Sequence, residues 1–303
     1  MDNASYFIQN KALFGSFPKQ EHITELEENQ VRNFIDLTCD DETNITKYTT
    51  KYNYYNFQIK DRKVPLNIQD FVVFIKRIVK LIRNLPPGDK VYIHCRAGHS
   101  RSSLVVSCIL TIINNIDIKT AINLTREFHN KRKNLKEKWK KIAHLSQVQL
   151  RFLQKIFDNI FFFRAYKNTN LTYGFSNYSN HKIKVNNIGT FLNGQVAYNA
   201  LKDPSDKKFI NKQLKVKTTY ESNQLSKDKY ITVFCKYELM KKIIELKVEQ
   251  HDEVKHNLLK TGFTKLVYNN KNDYYFGIGD GSGKNILGRI LMDIRNKYIE
   301  MLI

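Results

Sequence analysis

The chain is poor in the residues that build unusual scaffolds. Among 303 residues there are 12 glycines and 5 prolines, which excludes collagen-like and low-complexity architectures. Four cysteines, Cys39, Cys95, Cys108 and Cys235, form no CxxC pair, so no structural zinc site is expected and no metal is implied. The first residues lack a basic segment followed by an apolar run, so no secretory leader is expected. The most apolar stretch, Leu104 to Ile113, is too short to span a bilayer. These absences predict no transmembrane segment and a reducing, cytoplasmic compartment, the host cytoplasm if the protein is viral. Acidic residues are also scarce: 29 against 50 Lys and Arg, a formal net charge of +21. Such a field favours anionic partners, namely phosphorylated proteins, nucleotides, nucleic acid or anionic lipid. The abundance of Lys, Asn, Ile and Tyr is what an AT-rich genome, such as that of a large DNA virus or a protist, produces.

Hydrophobic residues at 42% and charged residues at 26% are ordinary globular usage, and the length predicts two domains. Leu13 to Pro18 reads as a strand ending in a turn, Ile23 to Asn33 as a helix and Phe34 to Thr38 as a buried strand. Tyr54 to Ile59 reads as a further strand. Asn67 to Leu85 has apolar residues at helical spacing and is stopped by Pro86-Pro87-Gly88. Val91 to His94 is a short buried strand, followed by an apolar helix from Ser103 to about Asn114, and by helices over 118–131 and 147–161. Strands alternating with helices predict an α/β sheet with helices on both faces. The composition turns Asn/Thr/Tyr/Ser-rich after Phe161-Phe162-Phe163, so a boundary is expected near 165, giving domains 1–165 and 166–303. The second half predicts strands at 182–185 and 230–234, and helices at 193–201, 236–250 and 252–259.

The chemistry concentrates in His94-Cys95-Arg96-Ala97-Gly98-His99-Ser100-Arg101-Ser102, between a strand and a helix. A loop of this length can turn its backbone N–H groups toward a phosphate, and the helix that follows adds the positive end of its dipole. The same surroundings favour a thiolate at Cys95, the candidate nucleophile. Arg101 brings a planar fork matched to phosphate oxygens, Gly98 permits the backbone twist, and the Ser102 hydroxyl can help the sulfur leave. The rest of the loop, His94, Arg96, Ala97, Gly98, His99 and Ser100, is the expected substrate-binding surface. A leaving group needs a proton. Asp36, Asp40, Asp41, Asp61, Asp70 and Asp89 are candidates, with Asp61 preferred for its basic, proline-containing loop after a strand.

This segment resembles the HCxxGxxR(S/T) signature of the protein tyrosine and dual-specificity phosphatases, and the resemblance spans residues 10–160. It implies a phosphorylated protein substrate, a phosphocysteine intermediate, no cofactor, and a shallow pocket admitting phosphoserine, phosphothreonine and phosphotyrosine. RNA 5′-triphosphatases and nucleotide phosphatases share the chemistry, and a binding protein that has lost turnover is the other reading. The Asp61–Cys95 spacing is similar to the family's for its mobile acid loop, and Gln149 is similarly placed to a family glutamine associated with positioning water. The basic run Lys131 to Lys141, with the only tryptophan, Trp139, reads as a solvated connection more readily than as a nucleic-acid patch.

In the second half, Asn193, then Asp273-Tyr274-Tyr275-Phe276-Gly277 and Lys284-Asn285 in a glycine-rich segment, are the candidate site residues. Together with Leu291-Met292-Asp293-Ile294-Arg295 they resemble the YbiA-like, or NADAR, N-glycosidases over residues 171–300. The resemblance implies a smaller, mostly helical α+β domain and an ADP-ribose-like or nucleotide ligand. Asn193 falls where the family's glutamate is expected and Phe276 replaces its tryptophan. An amide cannot act as a general base, so a ligand-binding domain with little or no glycosidase turnover is expected, against a bifunctional enzyme.

Overall fold

A computed structural model describes residues 2–43, 45–141, 144–164, 169–231 and 233–303. The chain divides into two compact units, Met1–Phe157 and Asp158–Leu302; the expected boundary at 165 lies outside the described residues.

In chain order the first unit contains β1 (Ala4–Ile8), β2 (Ala12–Ser16), α1 (Gln20–Glu28), β3 (Val31–Asp36), β4 (Asn53–Asn56), α2 (Ile68–Arg83) and β5 (Lys90–Cys95). Then follow α3 (Ser100–Asn114), α4 (Ile118–Asn130), α5 (Glu137–Lys141) and α6 (Gln147–Phe157). The strands form one sheet in the order β1-β2-β5-β3-β4, parallel except for the β1–β2 pair. The central strands read as continuous apolar runs because both faces are covered. Phe14, Val31, Phe34, Ile35, Val91 and Ile93 are all fully buried.

Helix α2 starts where Asn67 caps it, accepting from Gln69 N at 2.8 Å, and buries Phe71, Ile75, Ile78 and Ile82. Helix α3 is buried from Ser100 through Leu110 and packs against β5, α2 and α4. Strand β5 ends at Cys95, so the candidate nucleophile stands at the carboxyl edge of the sheet, where open α/β sheets hold ligands.

Three boundaries differ from expectation. The first helix lies earlier, because Val31 already pairs with Lys90 and Gln30 turns the chain with φ 68°. The strand expected over 54–59 keeps its ladder with β3 only through Asn56; beyond it Phe57 N and Ile59 N still donate to Asp36 O and Leu37 O, but the Ile59 carbonyl turns to Arg101. The helix expected to reach 161 stops at Phe157, because residues 159–162 pair with a strand a hundred positions later.

The second unit contains β6 (Asn159–Phe162), β7 (Ile183–Val185), β8 (Gly189–Phe191), α7 (Gly194–Ala200), α8 (Lys207–Lys215) and α9 (Thr219–Leu225). Then come α10 (Val233–Gln250), α11 (Asp252–Lys260), β9 (Lys265–Tyr268) and α12 (Ile286–Glu300). It is helical apart from two short strand pairs, β6 with β9 and β7 with β8. Phe175, Phe191, Val196, Ile243, Ile244, Leu266 and Ile290 fill its core. The strand expected at 230–234 is not one: Val233 and Phe234 open α10, and Thr232 lies outside the described residues. Among the described residues, no helix is long and apolar enough to cross a membrane, and no group of three His, Cys, Asp or Glu side chains could hold a metal ion.

Candidate active site

The chain leaves β5 at Cys95 and enters α3 at Ser100, so the positive end of α3 lies beside the thiol. Gly98 makes the turn at φ 71°, and a side chain there would meet the β2 backbone, with Ser16 N only 2.5 Å away. Cys95 is buried and its Sγ lies 3.6 Å from Ser102 Oγ. A cleft of about 240 Å³ opens over it. Asp61, Arg96, Ala97, His99 and Ser100 line this cleft together with Trp139.

Arg101 is fully buried. Both its terminal nitrogens donate to the Glu42 carboxylate, one also to Ile59 O at 3.0 Å, and Nη2 lies 3.4 Å from Asp61 Oδ1. Its Nε is buried without a hydrogen-bond partner among the described residues, a free donor of the kind a phosphate oxygen would use. Burial works against the guanidinium's charge, but the hydrogen bonds it donates to Glu42 and the nearby Cys95, Glu42 and Asp61 raise its pKa. Burial also pushes Glu42 up; its hydrogen bonds from Arg101 and Cys39 N outweigh this and hold it below the usual carboxylate range.

Of the six candidate acids, Asp61 lines the cleft, with its second oxygen 3.5 Å from Arg96. Asp36 is committed instead: it accepts from Thr38 N and Oγ1 at 2.8 Å and from Tyr54 OH at 2.7 Å. Asp40 pairs with Lys47 at 2.7 Å, Asp70 sits in the first turn of α2, and Asp89 lies 4.0 Å from Arg32.

His94 is buried beneath the loop, its Nε2 2.7 Å from Tyr48 OH and its Nδ1 3.6 Å from Asp36. Burial lowers its pKa to about 4 against the pull of Asp36, so it is neutral at pH 7. The loop is braced by Arg132, which donates to Gly98 O at 2.7 Å and Phe14 O at 3.1 Å. In the basic run Lys131, Lys133, Lys136 and Lys138 are exposed, Arg132 is buried, and Trp139 stacks on His99 with ring centroids 4.4 Å apart. His99 Nδ1 lies 2.7 Å from His129 Nε2, and His129 stacks on His144. Burial, then Arg132, lowers His99 to about 4 and His129 to about 3.

Sequence reasoning missed Glu42, Tyr48 and the bracing by Arg132. Glu42 stood beside the weighed pair Asp40-Asp41, but nothing local marks it as the partner of a residue 59 positions on.

In the second unit the candidate residues take mixed roles. Asn193, expected at the position of a catalytic carboxylate, is instead the N-cap of α7: it accepts from Val196 N at 3.1 Å and donates to Thr219 Oγ1 at 2.7 Å. Asn285, expected to face a ligand, holds β9: it accepts from Tyr268 N and donates to Leu266 O, both at 2.9 Å. Asp273 accepts from Tyr275 N and Phe276 N at 3.0 and 2.8 Å, closing the turn that presents both rings. At Gly277 a side chain would meet Asp273 O at 2.8 Å, so this glycine serves the loop's own packing. The Phe276 ring meets Tyr198 edge-on at 5.6 Å, and Lys284 and Lys236 lie 5.8 and 5.9 Å from the Tyr275 ring. In the first turn of α7, Gln195 accepts from Asn177 and donates to Asn199 Oδ1 at 3.1 Å, an amide chain that sequence reasoning did not single out.

Comparison with known proteins agrees with the two halves. The profile described as "Dual specificity phosphatase, catalytic domain" matches residues 13–151, and that of the "NADAR domain" matches residues 161–298. The chain is 30% identical to "Putative tyrosine phosphatase 197R" of Invertebrate iridescent virus 6, over 96% of this chain and 90% of that protein. It is 39% identical to "Putative tyrosine phosphatase 067L" of Invertebrate iridescent virus 3, over 52% of this chain and 66% of that protein. A 63-residue segment, 20% of this chain and 39% of the other, is 44% identical to "N-glycosidase YbiA" of Escherichia coli (strain K12).

Proposed function

The chain belongs to the family of the iridescent-virus tyrosine phosphatase homologues, a dual-specificity phosphatase domain followed by a NADAR domain, and from that premise we propose that it hydrolyses phosphotyrosine and phosphoserine or phosphothreonine on proteins through a phosphocysteine. One observation carries this reading: Cys95, Asp61 and the loop lie in one cleft, with Arg101 gripped beneath it by Glu42. The Cys95 thiolate attacks phosphorus while the phosphorus–oxygen bond to the leaving group breaks, and Asp61 gives its proton to that oxygen. Arg101 stabilises the equatorial oxygens of the transferring group. Water then attacks the phosphocysteine, Asp61 takes its proton, and the departing sulfur receives a hydrogen bond from Ser102. The test compares release of phosphate from phosphotyrosine peptide, phosphoserine peptide and 5′-triphosphorylated RNA. The reading predicts the peptides are preferred; preference for the RNA would replace it with a nucleic-acid end phosphatase.

For the second unit we propose a binding site for an ADP-ribose-like or nucleotide ligand at the Tyr198–Tyr275–Phe276 cluster, with little or no glycosidase turnover. What supports it is the lack of a carboxylate at Asn193 and Gln195, and the commitment of Asp273 to its own turn. Calorimetry with ADP-ribose and a glycosidase assay on a Cys95→Ser protein test it. Binding without turnover is expected; robust turnover would make the chain bifunctional.

A further inference from the structure

We propose that Gln149 is a positioning residue that latches the acid loop to the phosphate loop, and that it orients no water in phosphocysteine hydrolysis. This rests on the phosphatase reading above. Gln149 is fully buried in the first turn of α6. Its Oε1 accepts from Ser100 Oγ at 2.7 Å, in the phosphate loop, and from Ser146 N at 3.0 Å. Its Nε2 donates to Lys63 O at 3.0 Å, two residues beyond Asp61. The neighbouring Ser146 Oγ donates to Arg62 O, also at 3.0 Å. An amide oxygen has two lone pairs, and both are occupied here, so no acceptor remains for a nucleophilic water.

The loop needs holding. Residues 60–63 form a tight turn closed by Lys63 N donating to Lys60 O at 2.9 Å, and Arg62 within it stands at φ 58°. A non-glycine residue in this left-handed region is strained. The two latch bonds fall on Arg62 O and Lys63 O, the strained residue and the one after it. Asp61, half-exposed and on the other side of Arg62, is thereby fixed relative to Ser100 and the nucleophile. The acid loop is therefore held over the cleft before substrate arrives, and loosening the latch weakens protonation of the leaving group more than any other step.

The experiment measures kcat and kcat/KM for p-nitrophenyl phosphate, whose leaving group needs little protonation, and phenyl phosphate, whose leaving group needs much. It compares wild type, Gln149→Met, Ser146→Ala and each of these combined with Asp61→Asn. General acid catalysis contributes about 10²–10⁴-fold. Gln149→Met should therefore lower kcat/KM on phenyl phosphate about tenfold or more beyond its effect on p-nitrophenyl phosphate. Ser146→Ala, which removes the Arg62 bond and the weaker bond that Ser146 Oγ accepts from Gln149 N but leaves the Gln149 side chain in place, should do the same more weakly. In the Asp61→Asn background neither change should have any further effect, because there is no acid left to position. Equal losses on both substrates, persisting with Asp61→Asn, would mean a structural role and overturn the proposal. An unchanged kcat/KM with a burst of product and a slow second step would show that Gln149 orients water, and would overturn it too. Lack of Cys95-dependent turnover on either substrate would instead refute the phosphatase reading on which the latch rests.

Discussion

Replacing Glu42 by glutamine keeps its shape and removes the anion that grips Arg101. In the structure both terminal nitrogens of Arg101 reach the carboxylate, and Glu42 also accepts from Cys39 N at 3.0 Å. With the charge gone, the buried guanidinium keeps two neutral carbonyls, Leu37 O at 3.4 Å and Ile59 O at 3.0 Å, and the half-exposed Asp61 at 3.4 Å. Breaking a buried ion pair costs about 3–5 kcal/mol, and a hydrogen bond to a charged group contributes about 1.5–3 kcal/mol. Glutamine retains one acceptor, so we expect a loss of about 2–4 kcal/mol in urea unfolding of the first unit. The loosened Arg101 should also raise KM for aryl phosphate and weaken competitive inhibition by inorganic phosphate, each about tenfold. The pH dependence has a definite sign. Because the Glu42 carboxyl is held below its usual range, its stabilisation is present above about pH 4.3, the value for an unperturbed glutamate, and is lost as pH falls through the lower folded value. Glu42→Gln should lack this acid limb. A variant with unchanged unfolding midpoint and unchanged phosphate affinity would refute the assignment of Glu42 as the anchor of Arg101.

Gly98→Ala should abolish aryl phosphate turnover, because φ 71° and the β2 backbone at Ser16 both reject a side chain; full turnover would mean the loop can move away from β2. Burial lowers His94, His99 and His144 to about 4 and His129 to about 3, so each binds a proton on unfolding near its ordinary value of about 6.5. The first unit should therefore hold this stability above about pH 6.5 and lose it progressively toward pH 4; a urea midpoint equal at pH 7 and pH 5 would contradict this. In the second unit, Asn285→Ala leaves Tyr268 N and Leu266 O without their partner at β9, and should cost about 2–4 kcal/mol in its unfolding transition.

The candidate site of the first unit was legible because it is local. Cys95, Gly98, Arg101 and Ser102 fall within eight consecutive residues, and the strand and helix on either side are themselves apolar runs. The supports were illegible because each arrives from far along the chain. Glu42 and Arg132 reach the loop from other elements, and in sequence they look like one more acid and one more base, whereas Gln149 was singled out only by resemblance, and for a different role. Arg132 illustrates the limit: it sits among lysines that are exposed, and only its hydrogen bonds to Gly98 O and Phe14 O separate it from them. Edge strand β1 escaped notice because its residues are only alternately buried. Strand β6 escaped because its aromatic run continues the apolar pattern of α6, and its pairing with β9 is a non-local fact. In the second unit the order of the motifs was readable, yet Asn193 and Asn285 turned out to cap a helix and to hold a strand, which no spacing reveals.

Whether phosphate passes through Cys95 is tested by rapid acid quenching of the reaction with a radiolabelled phosphopeptide, followed by mapping of the label. Label is expected on the peptide containing Cys95, accumulating further in Ser102→Ala, where the sulfur leaves more slowly, and absent in Cys95→Ser together with turnover. Phosphate release that persists in Cys95→Ser, or label carried on any other residue, would contradict it.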